Sequence, residues 1–550
     1  MSRQAAVSFA DCQLEPAMSV PERVSDVLSN RVTFALEAID RMYLNGYVGG
    51  LQIPEGAVRF FRTHRGYKFA SSVLMDQMTK DFVAAIERFA QAEQVPMITF
   101  GKGERKDDIA AIVRKGFDRE EGVMFIGKAQ EKAKVFRTER RTAPDGKPYP
   151  WIVVGTAYVN QYYFYIFDHG FGPFFIKFCS YFPFNAKVCL NGHEWLKQQL
   201  AARGIEFEPL DNGILSCAEP VRAQELSDDF DAIKIETVFR KWLARIPHPF
   251  TAEDRQAGYR YELSVLQAEF SRTMVFDRPM TGRVFFDQVI RENLDLGRPD
   301  QVRLIFDRRV SRRTPGRFQT RVVTEGVIPS IHFELKSARI KEYFKEGRAL
   351  RVETTINDSR AFGIGKRLQN LPQMREFGFA ANRRLLNVQT ISHDCAVGED
   401  TWNQVVRPIT VDAQRASALR FDDPRVQALF AALLLLVFQI DGFASHQLRG
   451  PLAQLLGVDP ATITRGRMTY DLRRLRLHGI IERIGRSHRF RLTPTGLRVA
   501  FFFTRVWGRL LRPGLSLAST SFPPRASLTR AFNKLETEIH DLIARQKLAA

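Results

Sequence analysis

The densest run of chemistry-bearing side chains is FGKGERKDD, residues 100–108, where Lys102, Arg105 and Lys106 are interleaved with Glu104, Asp107 and Asp108. Further on, GVMFIGKAQEK supplies Lys128, Glu131 and Lys132 behind an apolar stretch. Carboxylates at strand ends can hold a divalent ion against a phosphodiester, while a lysine neutralises charge in the transition state. Asp40, in AIDRMYLNGY, is a further acidic ligand of the same kind. The expected metal ligands are therefore Asp40, Asp107, Asp108 and Glu131, with Mg2+ or Mn2+ as cofactor. The expected catalytic groups here are Asp107, Asp108, Glu131 and Lys132, and Lys102 and Lys106 are expected to contact phosphate. A competing reading makes RKDD a solvated helix start, in which Asp107 and Asp108 stabilise the helix dipole.

A second group lies in IHFELKSARIKEYFKEGRALRVETTIND, residues 331–358. Glu334-Leu335-Lys336 has the E-x-K form of restriction-type nucleases, a tripeptide that is also common by chance. Tyr343 stands between Lys341 and Lys345, and IKEYFKEG followed by ALRVE resembles segments near the catalytic region of replication initiators. The resemblance implies a tyrosine that attacks a phosphodiester and forms a covalent link to DNA. On this reading Tyr343 is catalytic and Lys341 and Lys345 bind nucleic acid. The family's paired histidines flanking one hydrophobic residue are missing, since His332 stands alone in SIHFE. The plainer alternative makes Tyr343 a half-buried strand residue beside a basic edge.

A third group is aromatic: YFYIFDHGFGPFFIKFCSYFPF, with Lys177 and Lys187 interleaved, could stack bases or simply fill a core. Asp168, His169, His193 and Glu194 carry suitable metal-ligand chemistry, but adjacent Asp-His and His-Glu pairs are weakly specific.

The strongest pattern is C-terminal. Residues 425–440 read as an apolar helix, Ser445 and Gly457 as the cap and stop of a second, and ATITRGRMTYDLRRLRLHGI as a third that ends at Gly479. IIERIGRSHRFRLT then alternates like a two-stranded wing, and PTGLRVAFFFTRVW starts a closing helix. This order is that of a winged helix-turn-helix, expected over residues 423–512. Residues 461–512 hold thirteen arginines against Asp471 and Glu482, a net +11. Arg465, Arg467, Thr469 and Tyr470 fall at the base-reading end of the third helix. Arg473, Arg474 and Arg476 are expected on phosphates, Arg486 and His488 at the wing tip, and Leu472 and Leu475 in the core. The wording TYDLRRLRLHGIIERI…RFRLTPTGLRVA resembles the winged helices of the MarR and ArsR regulators.

These motifs need elements to position them. Residues 20–95 read as two helices, VSDVLSNRVTFALEAIDRMYL and SSVLMDQMTKDFVAAIERFAQAEQV. PMITF, IAAIVRKGF and GVMFIGKA follow as strand, helix and strand. Residues 149–190 read as strands, HEWLKQQLAARG as a helix and residues 228–300 as mainly helical. QVRLIFDRRV and RFQTRVVTEG suggest a hairpin across SRRTPG, with a further strand pair turning at Glu346-Gly347. The expected fold class is multidomain α+β. Its parts are an α/β domain at 1–145, an aromatic β-rich region at 146–225, an α+β region at 226–400, the winged helix at 423–512, and a linker with an amphipathic helix at 513–550. That last helix either packs back on the body or joins two copies as a homodimer.

The balance of 81 Lys and Arg against 61 Asp and Glu, a net +20, calls for a polyanionic partner. The most apolar stretch, residues 428–440, is short of the ~20 residues a membrane span needs. Five scattered cysteines form no CxxC pair and fit a reducing cytoplasm. Taken together, KGERKDD, GKAQEK, NGHEW, LDNG, IKEYFKEGRALRVETTIND and the winged helix resemble a family of bacterial proteins of about this length, a resemblance that implies no activity. The expected function is DNA binding, with a body that acts as a metal-dependent nuclease or a recombinase or replication-type protein of a mobile element. The alternatives are a winged-helix transcriptional regulator without catalysis and an RNA-binding ribonucleoprotein component.

Overall fold

The structure, a computed structural model, describes residues 30–101, 103–296, 305–306, 320–325, 328–335, 337–393, 397–435, 442–485, 487–511 and 534. The chain divides into two compact units, a body of residues 30–383 and a C-terminal unit of which residues 384–393, 397–435, 442–485, 487–511 and 534 are described. The mixture of helices and sheet makes the fold α+β.

The body is organised by one twelve-stranded sheet. Its strands are β1 (Val32–Tyr47), β2 (Met97–Thr99), β3 (Gly122–Thr142), β4 (Pro148–Asp168), β5 (Gly172–Cys179), β6 (Ala186–Asn191), β9 (Glu262–Phe276), β10 (Ile305–Phe306), β11 (Thr320–Glu325), β12 (Ile328–Leu335), β13 (Ala338–Lys345) and β14 (Ala349–Ile356). The order across the sheet is β10-β11-β12-β13-β14-β9-β1-β6-β5-β4-β3-β2, antiparallel except for the outermost pair at each end. A separate hairpin, β7 (Phe207–Leu210) and β8 (Gly213–Cys217), stands beside it. Among the described residues, the body's helices of six residues or more are α1 (Pro54–Arg59), α2 (Ser72–Ala92), α3 (Lys106–Lys115), α4 (Gly192–Ala201), α5 (Pro220–Asp228), α6 (Ala232–Leu243) and α7 (Pro279–Leu296), and α8 (Leu371–His393) runs past residue 383. Phe164, Phe178, Phe184, Trp195, Phe239 and Phe270 belong to one buried cluster that draws on residues 34–379.

Four expectations need correction here. Residues 32–47 form the central strand β1 rather than a helix, and residues 262–276 form β9 rather than more helix. Ala, Leu, Glu and Met favour helices in isolation, but β1 lies between β6 and β9 and takes their hydrogen bonds, so tertiary pairing outweighs local propensity. The division into regions 1–145, 146–225 and 226–400 also fails. The first boundary cuts the β3–β4 hairpin, and all three regions share one sheet and one core. The described parts of QVRLIFDRRV and RFQTRVVTEG pair in parallel, which a tight hairpin cannot do, and the turn SRRTPG lies outside the described residues. The β13–β14 turn does fall at Glu346-Gly347, both at positive φ (50° and 67°), within the connection of residues 346–348 between the paired Lys345 and Ala349.

The C-terminal unit contains α9 (Glu399–Val406), strands β15 (Ile409–Val411) and β16 (Gln414–Ala416), and α10 (Pro424–Leu433). There follow β17 (Phe443–Ala444), α11 (Ser445–Leu456), α12 (Arg465–Leu477), β18 (Ile481–Arg483), β19 (Arg489–Leu492) and α13 (Pro494–Arg505). Strands β17, β19 and β18 make a small antiparallel sheet. Leu429, Phe430, Leu448, Leu452, Met468, Leu472, Leu475 and Phe503 form its core. Ala444, not Ser445, is the cap of α11, its N–H donating to Gln447 Oε1 at 2.8 Å. Gly457 and Gly479 both stop helices in the left-handed region, at φ 67° and 71°. The amphipathic segment 528–546 and the linker before it lie outside the described residues apart from Lys534. Among the described residues no helix is long and apolar enough to cross a membrane.

Gly496, in the first turn of α13, has no room for a side chain: a Cβ there would sit 2.0 Å from the Ile480 carbonyl oxygen. Gly496→Ala is expected to push α13 off the small sheet and cost roughly 1–3 kcal/mol. A fall in the unfolding midpoint of the C-terminal unit, with the body's transition unchanged, is the readout.

A buried polar centre and a candidate nucleic-acid interface

Directly opposed residues of antiparallel strands share a sheet face, and residues alternate faces along each strand. Lys341 opposes Glu353, which opposes Ser271, which opposes Ala38, while Tyr343 opposes Arg351 and that opposes Thr273. Asp40 follows Ala38 by two residues and joins the same face. Between Ile39 and Met42 the β1–β9 register slips by one residue, a β-bulge that turns Arg41, Tyr43 and Asn45 to the face of Asp40. The face continues through Lys187 on β6, Lys177 on β5 and Tyr163 on β4.

Two polar clusters form on this face. In the first, the fully buried Arg351 guanidinium donates to Asp40 Oδ2 at 2.6 Å, to His193 Nε2 at 2.8 Å and to the Asn212 carbonyl. Its Nε lies 2.8 Å from Glu353 Oε1, an ion contact without hydrogen-bond alignment. Asn212 also donates to Asp40, and Tyr343 donates its hydroxyl to Glu353 Oε1 at 2.8 Å. Helix α4 brings His193 in. Asn191 caps that helix by accepting from the His193 and Glu194 amides, and Gly192 passes so close to β1 that a Cβ would meet the Ile39 carbonyl oxygen at 2.1 Å.

Burial and charge set the protonation of this cluster. Burial disfavours the Asp40 carboxylate, but Arg351 and its other partners hold it well below the usual carboxylate range. Glu353 goes the other way, pushed up to about 7 by burial and by the negative charge of Asp40, against the pull of Arg351. Burial and then Arg351 push His193 down to about 3, so it stays neutral and accepts from the guanidinium. Burial and the Glu353 charge raise the Tyr343 phenol above its ordinary value.

In the second cluster, Glu131 accepts from Lys106 Nζ and Lys177 Nζ, each at 2.6 Å, and from the Tyr163 hydroxyl. Burial opposes its charge, yet the two lysines hold its carboxyl at about 2. Lys177 is itself buried, and burial lowers its proton affinity.

The expected metal site is not assembled. Among the described residues no group of three or more His, Cys, Asp or Glu side chains comes together to hold a metal ion. Asp40 is committed to Arg351 and Asn212, and Glu131 to two lysines. Asp107 and Asp108 stand exposed in the first turn of α3, where they complement the helix dipole. The four acids thus do not fit a shared Mg2+ or Mn2+, although Asp107 lies close enough to Arg41 to interact with its charge. Lys132 follows Glu131 along β3 and projects from the opposite face, opposing Tyr158. Lys102 and Lys336 lie outside the described residues. Asp168, His169, His193 and Glu194 do not converge. Asp168 is taken by Lys241, Trp242 and its own turn, and Glu194 by Arg114 and Lys197. Tyr343, Lys341 and Lys345 do share one face, with Lys341 Nζ 4.0 Å from the Tyr343 ring centre. Sequence reasoning misses Arg351, Glu353 and Asn212; the available signal is R-V-E, two charges set in the otherwise uncharged strand ALRVETTI.

On the C-terminal unit, α12 exposes Arg465, Arg467, Thr469, Tyr470, Arg473 and Arg476 to solvent. Thr464 caps the helix by accepting from the Arg467 amide. Arg474 corrects the reading: it is buried and donates to the Ser417 and Ala418 carbonyls, so it holds the segment before α10 and is not on the surface. Tyr470 reaches Ser417 Oγ at 2.8 Å, and Asp471 is buried against Arg425. Leu472 and Leu475 are core residues. At the β18–β19 turn His488 is exposed and lies 3.3 Å from Arg483, whereas Arg486 lies outside the described residues.

No protein-family model matches the chain, and no curated protein matches it. A solved structure similar to part of it is the rolling circle replication initiator protein from Geobacillus stearothermophilus. The match has a TM-score of 0.17 and 9% identity over 60% of this chain and 76% of that one. A likeness at that level carries no argument about fold or function.

Glu353 yields a pH test. Its folded value, about 7, lies above its ordinary 4.5, so folding favours the protonated form. That stabilisation is complete below about 4.5 and is lost as pH rises through about 7. The body's thermal midpoint is expected to fall between pH 5 and pH 8, and Glu353→Gln to flatten that fall. Arg351→Met, which strands the buried Asp40 carboxylate, is expected to cost roughly 3–5 kcal/mol at neutral pH, readable by chemical denaturation.

Proposed function

We propose that this protein binds duplex DNA through its C-terminal unit, acting as a winged helix with α12 in the major groove. The observation that carries the reading is that α12 presents Arg465, Arg467, Arg473 and Arg476 to solvent while Met468, Leu472 and Leu475 face the core. Helix α11 precedes it across a short turn, and β18 and β19 follow as the wing, with Arg483, His488 and Arg491 exposed. A helix of this kind fits the major groove, and arginine matches both guanine edges and phosphates. The MarR and ArsR resemblance of the same residues supports the reading. Arg465 and Arg467, with Thr469 and Tyr470, are the proposed base-reading set, and Arg473 and Arg476 the proposed phosphate contacts.

A second reading, strand transfer by the body, is favoured by one contact: the Tyr343 hydroxyl donates to Glu353, a carboxyl that titrates near neutrality. A phenol whose proton is held tightly needs a base within reach, and Glu353 is that base. Lys341 and Arg351 supply positive charge beside it. Asp40 and His193 are positioning residues, since they act through Arg351.

Two experiments test these readings. In fluorescence anisotropy with a labelled duplex, Arg465→Ala with Arg467→Ala is expected to weaken binding at least tenfold. Unchanged affinity would sink the major-groove assignment. For the second reading, single-stranded and duplex oligonucleotides are incubated with Mg2+, with Mn2+ or with EDTA and resolved on a denaturing gel. A covalent protein–DNA adduct is expected, absent in Tyr343→Phe and forming faster as pH rises through about 7. An adduct that persists in Tyr343→Phe would end that reading.

A further inference from the structure

The hairpin of β3 and β4 outruns the sheet. On one side β3 is paired by β2 only at Ile126–Lys128, and β4 is paired by β5 only from Gln161 onward. Between those limits, residues 129–142 and 148–159 pair, among the described residues, with no third strand, making a two-stranded ribbon of roughly 45 Å at about 3.3 Å per residue. Its base is anchored. Phe136 and Ile152 join the body's core, and Thr138 Oγ1 accepts from the Ser72 amide at the start of α2 at 2.7 Å. Past Thr138 and Ile152 no such anchor holds it among the described residues, and the tip closes through Gly146 at φ 78°.

The side chains of this ribbon differ from those of an ordinary exposed strand pair. Residues 132–160 hold Lys132, Lys134, Arg137, Arg140, Arg141 and Lys147 against Glu139 and Asp145, a net +4. The cations occupy both faces: Lys132, Lys134 and Arg140 alternate with Arg137 and Arg141 along β3. Lys132, Lys134 and Arg140 are exposed and have no carboxylate partner among the described residues. Tyr158 is 75% exposed and Trp151 37%. The Arg141 guanidinium lies over the Trp151 ring, 4.7 Å from its centre. Burial of these rings would be favourable, so a partner is expected to cover them.

We propose that the tip of the β3–β4 ribbon is a second duplex-DNA contact, inserted into a groove between two phosphate backbones. A two-stranded ribbon fits the major groove. Positive charge on both faces matches phosphates on both walls, whereas a platform for a single strand would carry its cations and rings on one face only. Arg140, Arg141 and Lys147 are the phosphate contacts nearest the tip, with Trp151 holding Arg141 in place. The proposal rests on the reading that the protein binds DNA, but its residues belong to the body and not to the C-terminal unit.

The test is the salt dependence of duplex binding by the full chain, with Arg465→Ala/Arg467→Ala as the comparison variant. Arg140→Ala/Arg141→Ala is expected to weaken binding about tenfold and to lower the slope of log affinity against log salt by nearly 2, at about 0.9 for each phosphate no longer neutralised. Arg140→Lys/Arg141→Lys, which keeps the charge, is expected to restore most of that slope and so excludes misfolding as the cause. An unlabelled single strand is expected to compete poorly. Duplex binding that survives both ribbon variants with its salt slope intact would overturn the ribbon proposal and leave the α12 reading standing. Equal competition by a single strand would overturn the groove assignment. Failure of the unaltered protein to bind any duplex would overturn both.

Discussion

The ion pair between Asp40 and Arg351 is the contact on which the body's organisation depends. A guanidinium with no solvent exposure is stable only if the fold supplies a countercharge and acceptors, because removing it from water costs several kcal/mol. The fold meets that demand from four places in the chain: Asp40 from β1, Glu353 from β14, His193 from α4 and Asn212 from the β7–β8 turn. None of these is near another in sequence except Arg351 and Glu353. The pair therefore fixes how a strand from the start of the body meets one from its end, and where α4 and the hairpin sit against them. The bulge at Ile39–Met42 follows from the same requirement, since it directs both Asp40 and Arg41 to one face.

The chemistry proposed at Tyr343 is a consequence of that pair. One carboxylate, Asp40, keeps its charge beside the guanidinium, so a second carboxyl in the same buried space is driven to hold its proton more tightly. Glu353 is that second carboxyl, and its hydrogen bond from Tyr343 couples the buried charge balance to the rim of the sheet face. Lysines elsewhere on the face are differently placed. Lys106 and Lys177 neutralise Glu131, so they add little free positive charge, whereas Arg465, Arg467, Arg473 and Arg476 of α12 and Lys132, Lys134 and Arg140 of the β3–β4 ribbon stand in solvent. The net charge of +20 is thus a poor guide to where a polyanion docks. The placement of carboxylates decides it.

The sequence is informative where structure is local. Much of residues 443–505 is legible because caps, glycine stops and alternating strand residues act within a few positions of each other; the cap of α11 differs by one residue, α12 begins at Arg465 rather than Ala461, and the short strand β17 is missed. The β13–β14 turn is legible for the same reason, through Glu346-Gly347. What fails is non-local. VTFALEAIDRMYL has helix-forming composition, and only pairing with β6 and β9 makes it a strand. Asp40 stands out in the sequence, but as a metal ligand, because its partner Arg351 is 311 residues away. Arg474 sits among surface arginines in sequence, and only the Ser417 and Ala418 carbonyls show that it is structural. Of the acidic set, Asp107 and Asp108 match the helix-start alternative rather than the metal one.

The central claim is that α12 enters the major groove of duplex DNA, and protection of guanine N7 tests it most directly. A duplex selected from a random pool by the full-length protein would be treated with dimethyl sulfate, free and bound. The account predicts protection of specific N7 positions, at least one of which disappears when Arg467 is replaced by alanine while overall binding persists. Tight binding without N7 protection, or a protection pattern indifferent to Arg465 and Arg467, would contradict it.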